Sequence, residues 1–206
     1  MQSDAMIFIV DDEEVVRDAL GLLVKSVGLQ STGFSTAQEF LDKYKPVEMG
    51  CLVLDVRMPG MSGIELLEKL QTLKNNLPTI VMTGHGDVKM AVRAMKIGAL
   101  DFVEKPFNDQ AMLDSIQHAL QHCAETYNHH AEQALFEQRM TKLTPREREV
   151  MQLVVQGMLN KIIADQLGLS TRTVEIHRAR IMEKMEAKSI SELVRMVMKS
   201  EAKNNQ

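Results

Sequence analysis

Cysteine is scarce in this 206-residue chain, with Cys51 and Cys123 the only two. They lie far apart without metal-ligand spacing, which argues against a cysteine zinc site and against a disulfide framework. Cys51 falls within an apolar run and reads as a small core residue, and the expected compartment is the reducing cytosol. No stretch of about 18 apolar residues occurs, so no membrane-spanning helix is expected. The N-terminus reaches Asp4 without a basic and then apolar pattern, so no secretory leader is expected. Internal repeats and low-complexity segments are also missing. What remains is a chain that is 45% hydrophobic and long enough for two globular domains.

Charge is unevenly spread. Residues 1–125 hold eleven Lys and Arg against eighteen Asp and Glu, and residues 126–206 hold thirteen against ten. An acidic front and a basic back suggest two domains, the second facing a polyanion.

The front half alternates apolar strand-like runs with helical periodicity, predicting five βα units. Such runs argue for a parallel sheet covered by helices on both faces, with right-handed crossovers. A shorter edge strand is expected at Gln30–Phe34. Thr36 with Glu39, and Ser62 with Glu65, read as capping boxes. Residues 124–141 lack Gly and Pro and read as a polar linker with helical propensity. The back half is all helix. Thr144-Pro145-Arg146-Glu147 opens one helix, Asn160 can cap a short second, Ser170 or Thr171 opens the third after the Gly168 turn, and Ser189 with Glu192 caps the fourth.

Four strand-like runs end on polar residues: Asp11-Asp12, Asp55, Thr83 and Lys105. Open α/β sheets bind ligands at the carboxyl ends of their strands. Two carboxylates about 4 Å apart repel by roughly 4 kcal/mol at an effective dielectric near 20, so three call for a cation among them. Hard oxygen donors with room for water and phosphate oxygens suit Mg²⁺. Asp55 is then placed to attack a phosphoryl donor, Lys105 to neutralise the developing charge and Thr83 to hydrogen-bond a phosphoryl oxygen. The small Gly84 leaves access. Taken singly, an Asp after a strand caps a helix and a Lys-Pro marks a loop; it is their occurrence together, in order, that points to function.

In the back half, Asn160–Leu167, the Gly168 turn and Thr171–Met185 have helix-turn-helix proportions. The second helix carries Arg172, Thr173, Glu175, Arg178, Arg180 and Lys184 as candidate DNA contacts. Arg and Lys suit phosphates, Arg also reads guanine, and Glu175 can accept from cytosine N4. A solvated basic helix in a small bundle would look the same by spacing alone. His177 falls on the apolar face and is expected to pack or cap.

These motifs carry a resemblance. IVDD, LDVRMPGMSG, MTGHGD and DFVEKPF resemble the receiver domain of two-component response regulators, a flavodoxin-like doubly wound five-stranded parallel sheet. LTPREREV, NKIIADQLGLSTRTVEIHRARIMEKM and SELV resemble the NarL/LuxR-type helix-turn-helix domain, small and all-α. Together the chain resembles a FixJ-type regulator, divided as receiver 1–123, helical linker 124–141 and DNA-binding domain 142–206. The resemblance implies that Asp55 is the phosphoacceptor. It implies Mg²⁺ on Asp11 or Asp12 or both, on Asp55 and on the main-chain carbonyl of Arg57. Thr83 would be the switch hydroxyl, Phe102 the switch aromatic and Lys105 the phosphate-contacting lysine, with Lys105-Pro106 cis. Arg57 and His85 would border the phosphoryl group and affect its lifetime. Implied partners are a cognate sensor histidine kinase, double-stranded promoter DNA, a second copy when phosphorylated, and RNA polymerase as a further contact. No membrane partner and no enzymatic role are implied beyond Mg²⁺-dependent self-phosphorylation and autodephosphorylation. One departure is Glu175, where many NarL-type domains carry lysine, so base contacts cannot be copied. Two other readings compete: an aspartyl-phosphate hydrolase, against which Arg57 stands where a second acid is needed, and an interaction adaptor without sequence-specific DNA binding.

Overall fold

The computed structural model describes residues 5–73, 75, 77–84 and 88–204. The chain divides into two compact units, Met1–Tyr127 and Asn128–Gln206. The first holds β1 (Met6–Val10), α1 (Glu14–Ser26), β2 (Gln30–Phe34), α2 (Ala37–Lys43), β3 (Gly50–Asp55), α3 (Gly63–Thr72), β4 (Thr79–Thr83), α4 (Val88–Ile97) and β5 (Asp101–Glu104). The strands form one sheet in the order β2-β1-β3-β4-β5, every neighbouring pair parallel. The expected doubly wound α/β architecture is therefore present, with β2 at an edge.

Strand alternation builds two cores. Ile7, Ile9, Cys51 and Val53 face one side, where α1 contributes Leu20 and Val24 and the helix that follows β5 contributes Met112, Ile116 and Leu120. Phe8, Val10, Leu52 and Leu54 face the other, against Phe40 of α2, Ile64, Leu66 and Leu67 of α3 and Ala94 of α4. Four of the eight Phe and Tyr rings gather there: Phe8 stands edge-on to Phe40 and Tyr44 at 5.9 and 5.2 Å, and Phe34 meets Phe40 at 5.3 Å. Such pairs add about 0.5–1.5 kcal/mol each beyond their burial.

In the first unit, helix starts follow the local chemistry, with one correction. Ser62 and Glu65 form a complete capping box on α3. Thr36 caps α2 by accepting from the Glu39 N–H, but the Glu39 carboxylate accepts from the Ser35 N–H instead of closing the box on Thr36. The loop geometry before α2 brings the earlier N–H within reach.

The helix α5 runs unbroken from Asp109 to Thr141. The segment read as a polar linker is thus the second part of one long helix. Its polar surface hides two core contributions, for Phe136 and Met140 pack into the core of the second unit. That unit continues with α6 (Pro145–Val155), α7 (Asn160–Leu167), α8 (Thr171–Lys184) and α9 (Ile190–Asn204). Its core centres on Val150, Val154, Ile163, Val174, Ile181 and Leu193. Gly168 ends α7 at φ 63, a left-handed conformation that glycine adopts without a Cβ penalty, and turns the chain into α8. Past α8, Glu186 holds φ 54 and its carboxylate pairs with Arg139 of α5 at 2.5 Å.

Candidate functional site

The strand order places β2 on one side of β1 and β3 on the other. Loops leaving β1 and β3 part toward opposite faces and open a crevice, where sheets of this kind bind ligands. Asp11 follows β1 and Asp55 ends β3; both are buried, Asp11 completely. Lys105, just beyond β5, reaches between them, its Nζ 2.7 Å from Asp11 Oδ2 and 2.7 Å from Asp55 Oδ1. Asp55 Oδ2 accepts from the Arg57 N–H at 2.8 Å, and Asp11 Oδ1 from the Glu13 N–H at 2.9 Å.

The electrostatics follow from that burial. Loss of water pushes the Asp55 carboxyl above its ordinary value; Lys105 opposes the shift and Asp11 reinforces it. Burial alone would lower the Lys105 ammonium, yet its hydrogen bonds to Asp11 and Asp55 outweigh burial and hold it above its ordinary value. The lysine turns a carboxylate repulsion into two attractions and leaves the trio one negative charge in excess.

Asp12 is exposed, and among the described residues no three of His, Cys, Asp and Glu stand together as metal ligands. The expected convergence of three carboxylates is therefore corrected to two carboxylates and an ammonium. Successive side chains of an extended segment point to opposite sides, so Asp11 turns inward and Asp12 outward. Arg17 of α1 takes part unannounced: its Nη1 donates to the main-chain carbonyls of Asp11 at 2.7 Å and Asp12 at 3.0 Å, fixing the β1–α1 loop. No sequence signal singles it out, because it reads as one more solvated residue on an amphipathic helix.

Thr83, buried at the end of β4, is joined to the site strand by the Lys105 N–H, which donates to its carbonyl at 2.7 Å. Half-buried Gly84 follows. Phe102 lies at the surface of β5, 48% exposed, beside Val92 and Met95 of α4. His85 lies outside the described residues. The Lys105-Pro106 bond is cis, as the resemblance implies.

In the second unit, α7, the Gly168 turn and α8 form the helix-turn-helix. Ser170 caps α8 by accepting from the Thr173 N–H. Arg172, Glu175 and Arg180 are exposed. The other three expected contacts are engaged within the unit. Thr173 Oγ1 lies 2.7 Å from Ser170 Oγ. Arg178 donates to Asn160 Oδ1 at 2.6 Å, and Lys184 pairs with Glu147 at 2.7 Å. Asn160 is thereby also corrected: it sits inside α7 and binds Arg178, while Leu159 occupies the cap position without a side-chain bond. His177 is half-buried on the apolar side, its Nδ1 enclosed without a hydrogen-bond partner.

Glu147 is 2% exposed. Burial would raise its carboxyl, but Lys184 and the Thr144 N–H and hydroxyl hold it at about 2, below the ordinary 4.5. A depressed carboxyl contributes stability above the ordinary value and loses it as pH falls through the folded one. The helical unit should therefore lose stability between about pH 4.5 and 2. Replacing Lys184 with Met should destabilise it by about 2 kcal/mol, since Glu147 keeps its burial without its partner. Acid and urea titrations of helicity check both; an unchanged acid midpoint in the variant would contradict the pairing.

Comparison with known proteins gives the same two parts. Residues 7–117 match the response regulator receiver domain family, and residues 141–197 match bacterial regulatory proteins of the luxR family. The chain is 43% identical to the transcriptional regulatory protein FixJ of Bradyrhizobium diazoefficiens, over 97% of this chain and 98% of that one. It is 46% identical to FixJ of Rhizobium meliloti, over 95% and 96%. Among solved structures it resembles the response regulator StyR, with TM-score 0.83 and 45% identity over 95% of this chain and 98% of that one. Full-length FixJ from B. japonicum is similar at TM-score 0.62 and 42% identity, over 97% and 98%.

Proposed function

The chain belongs to the FixJ-like response regulators, a receiver domain joined to a LuxR-type DNA-binding domain in a regulator of transcription, and from that premise we propose how its own residues act. Residues 1–123 serve as receiver, 124–141 as helical linker and 142–206 as DNA-binding domain. A partner histidine kinase presents a phosphorylated imidazole to Asp55. The Asp55 carboxylate attacks phosphorus in line, the P–N bond breaks, and the imidazole leaves with the bonding pair and takes up a proton. An acyl phosphate remains on Asp55 until water hydrolyses it. Small acyl phosphates can donate in the same way, which gives self-phosphorylation. Lys105 releases Asp55 and follows the charge onto a phosphoryl oxygen; Thr83 donates its hydroxyl to another.

Receiver domains generally use Mg²⁺. Here Asp11, Asp55 and the main-chain carbonyl of Arg57 are hard oxygen donors suited to it, with exposed Asp12 free to approach or to bind through water. When bound, the ion supplies positive charge to the transferring oxygens.

The single observation that carries this reading is the Lys105 bridge between buried Asp11 and Asp55 at the point where the strand order reverses. The response places Phe102, Val92 and Met95 in the contact with a second copy: all three are large apolar side chains exposed on one α4–β5 surface. Dimerisation presents two α8 helices to major grooves about one helical turn apart. RNA polymerase would be contacted from the DNA-bound dimer.

Acetyl phosphate with Mg²⁺ is expected to add one phosphoryl group, shift the protein from monomer to dimer and tighten duplex binding. Intact mass, light scattering and fluorescence anisotropy read these in turn. Binding should weaken steeply with salt. Absence of any phosphoryl adduct would overturn the site assignment, and an adduct without DNA affinity at low salt would favour a protein-interaction adaptor.

A further inference from the structure

The internal bonds of α8 separate the side chains it uses to fold from those it offers. Val174 and Ile181 are buried, Arg178 and Lys184 are engaged by Asn160 and Glu147, and Thr173 by Ser170. Left exposed along one stripe are Arg172, Glu175, Ile176, Ala179, Arg180 and Glu183, at the three- and four-residue spacing of a single helix face. The middle of that stripe is apolar. Ile176 is 46% exposed and Ala179 lies one turn further on, with Arg172 before them and Arg180 and then Glu183 after. A lone exposed isoleucine needs no explanation. One centred on the open face of the second helix of a helix-turn-helix faces the major groove, whose floor offers a single apolar group, the C5-methyl of thymine.

We propose that Ile176 and Ala179 read thymine methyl groups, that Glu175 accepts from cytosine N4 beside them, and that Arg178 and Lys184 read nothing. The proposal rests on the reading of α8 as the DNA-facing helix. Three residues of helix advance about 4.5 Å, between one and two base-pair steps of about 3.4 Å. The two methyls therefore lie one or two steps apart, with the cytosine adjacent. Arg172 and Arg180 flank this centre and hold phosphates or guanine.

The experiment uses the full-length protein activated with acetyl phosphate and a duplex selected from a random library. Each thymine of that duplex is replaced in turn by deoxyuridine, which keeps the pairing and removes only the methyl. One or two replacements should weaken binding about fourfold each, the worth of one buried methyl. Ile176→Ala should bind the parent duplex more weakly and be indifferent to at least one of those replacements. Glu175→Gln should change the selected base at one neighbouring position from cytosine to adenine, which glutamine reads with two hydrogen bonds. Arg178→Ala should leave the selected sequence unchanged. Wild-type protein indifferent to every deoxyuridine, or a sensitive position equally sensitive in Ile176→Ala, would overturn the proposal while leaving DNA binding intact. Selection of no duplex at all would overturn the DNA-facing reading and the proposal with it.

Discussion

Asp55→Asn is expected to abolish phosphoryl uptake while leaving the receiver folded. Asparagine has nearly the shape of aspartate and none of its nucleophilicity, so the P–O bond does not form. Stability involves two opposing effects. Asp55 Oδ1 and Oδ2 each accept a hydrogen bond, from Lys105 and from the Arg57 N–H. An asparagine has one acceptor oxygen and an amide that donates, so one donor loses its partner, costing about 1–2 kcal/mol. Against this, burial raises the Asp55 carboxyl above its ordinary value, so its ionised form weighs against folding at neutral pH, and the neutral amide removes that penalty. The two oppose each other, and the melting temperature should move by only a few degrees. Intact mass after acetyl phosphate treatment and a thermal melt together test this. A full phosphoryl adduct in the variant would move the phosphoacceptor away from Asp55.

The second large effect is at Gly63, where α3 begins. Its N–H donates to the Val56 carbonyl at 3.0 Å, and a Cβ added there would lie 2.0 Å from the Asp55 carbonyl oxygen and 2.9 Å from its carbon. The obstacle is backbone, which no rotamer change can clear. Gly63→Ala should therefore force apart β3 and the start of α3, directly behind Asp55. Overpacking usually costs about 1–3 kcal/mol, and a rigid backbone clash places this case at the upper end or beyond. The variant should melt well below wild type and accept phosphoryl groups slowly even where it remains folded. Gly60→Ala is the control: that glycine has open space around it but a φ of 78, so only the modest cost of a left-handed alanine is expected. Equal melting temperatures for wild type and Gly63→Ala would contradict the close approach.

Much of the first unit was legible because its signals are local. Alternating and helical periodicities located the strands and helices, and a strand boundary puts its last residue at the sheet edge whatever the neighbours are. Asp55, Thr83 and Lys105 could thus be assigned to one edge from spacing. The inward turn of Asp11 and outward turn of Asp12 could not, since both are the same residue type in adjacent positions. The polarity of residues 124–141 concealed Phe136 and Met140, two partly buried apolar side chains that pack against the core of the second unit rather than within their own segment.

The helix α8 shows the division most clearly. Composition and capping alone determined that Thr171–Lys184 is a basic helix following a glycine turn, because helix formation and chain reversal rest on residues within a few positions of each other. Which of its cations remain available was decided only by folding. Arg180 and Lys184 look equivalent in sequence, yet Lys184 meets a glutamate 37 residues upstream and Arg180 meets solvent. The same holds for the acidic pocket, where Lys105 reaches Asp11 across 94 residues. The sequence determined which groups stand at the ends of its elements; tertiary packing decided which of them are paired, because a charge buried in low dielectric takes the nearest opposite charge in space, however distant in the chain.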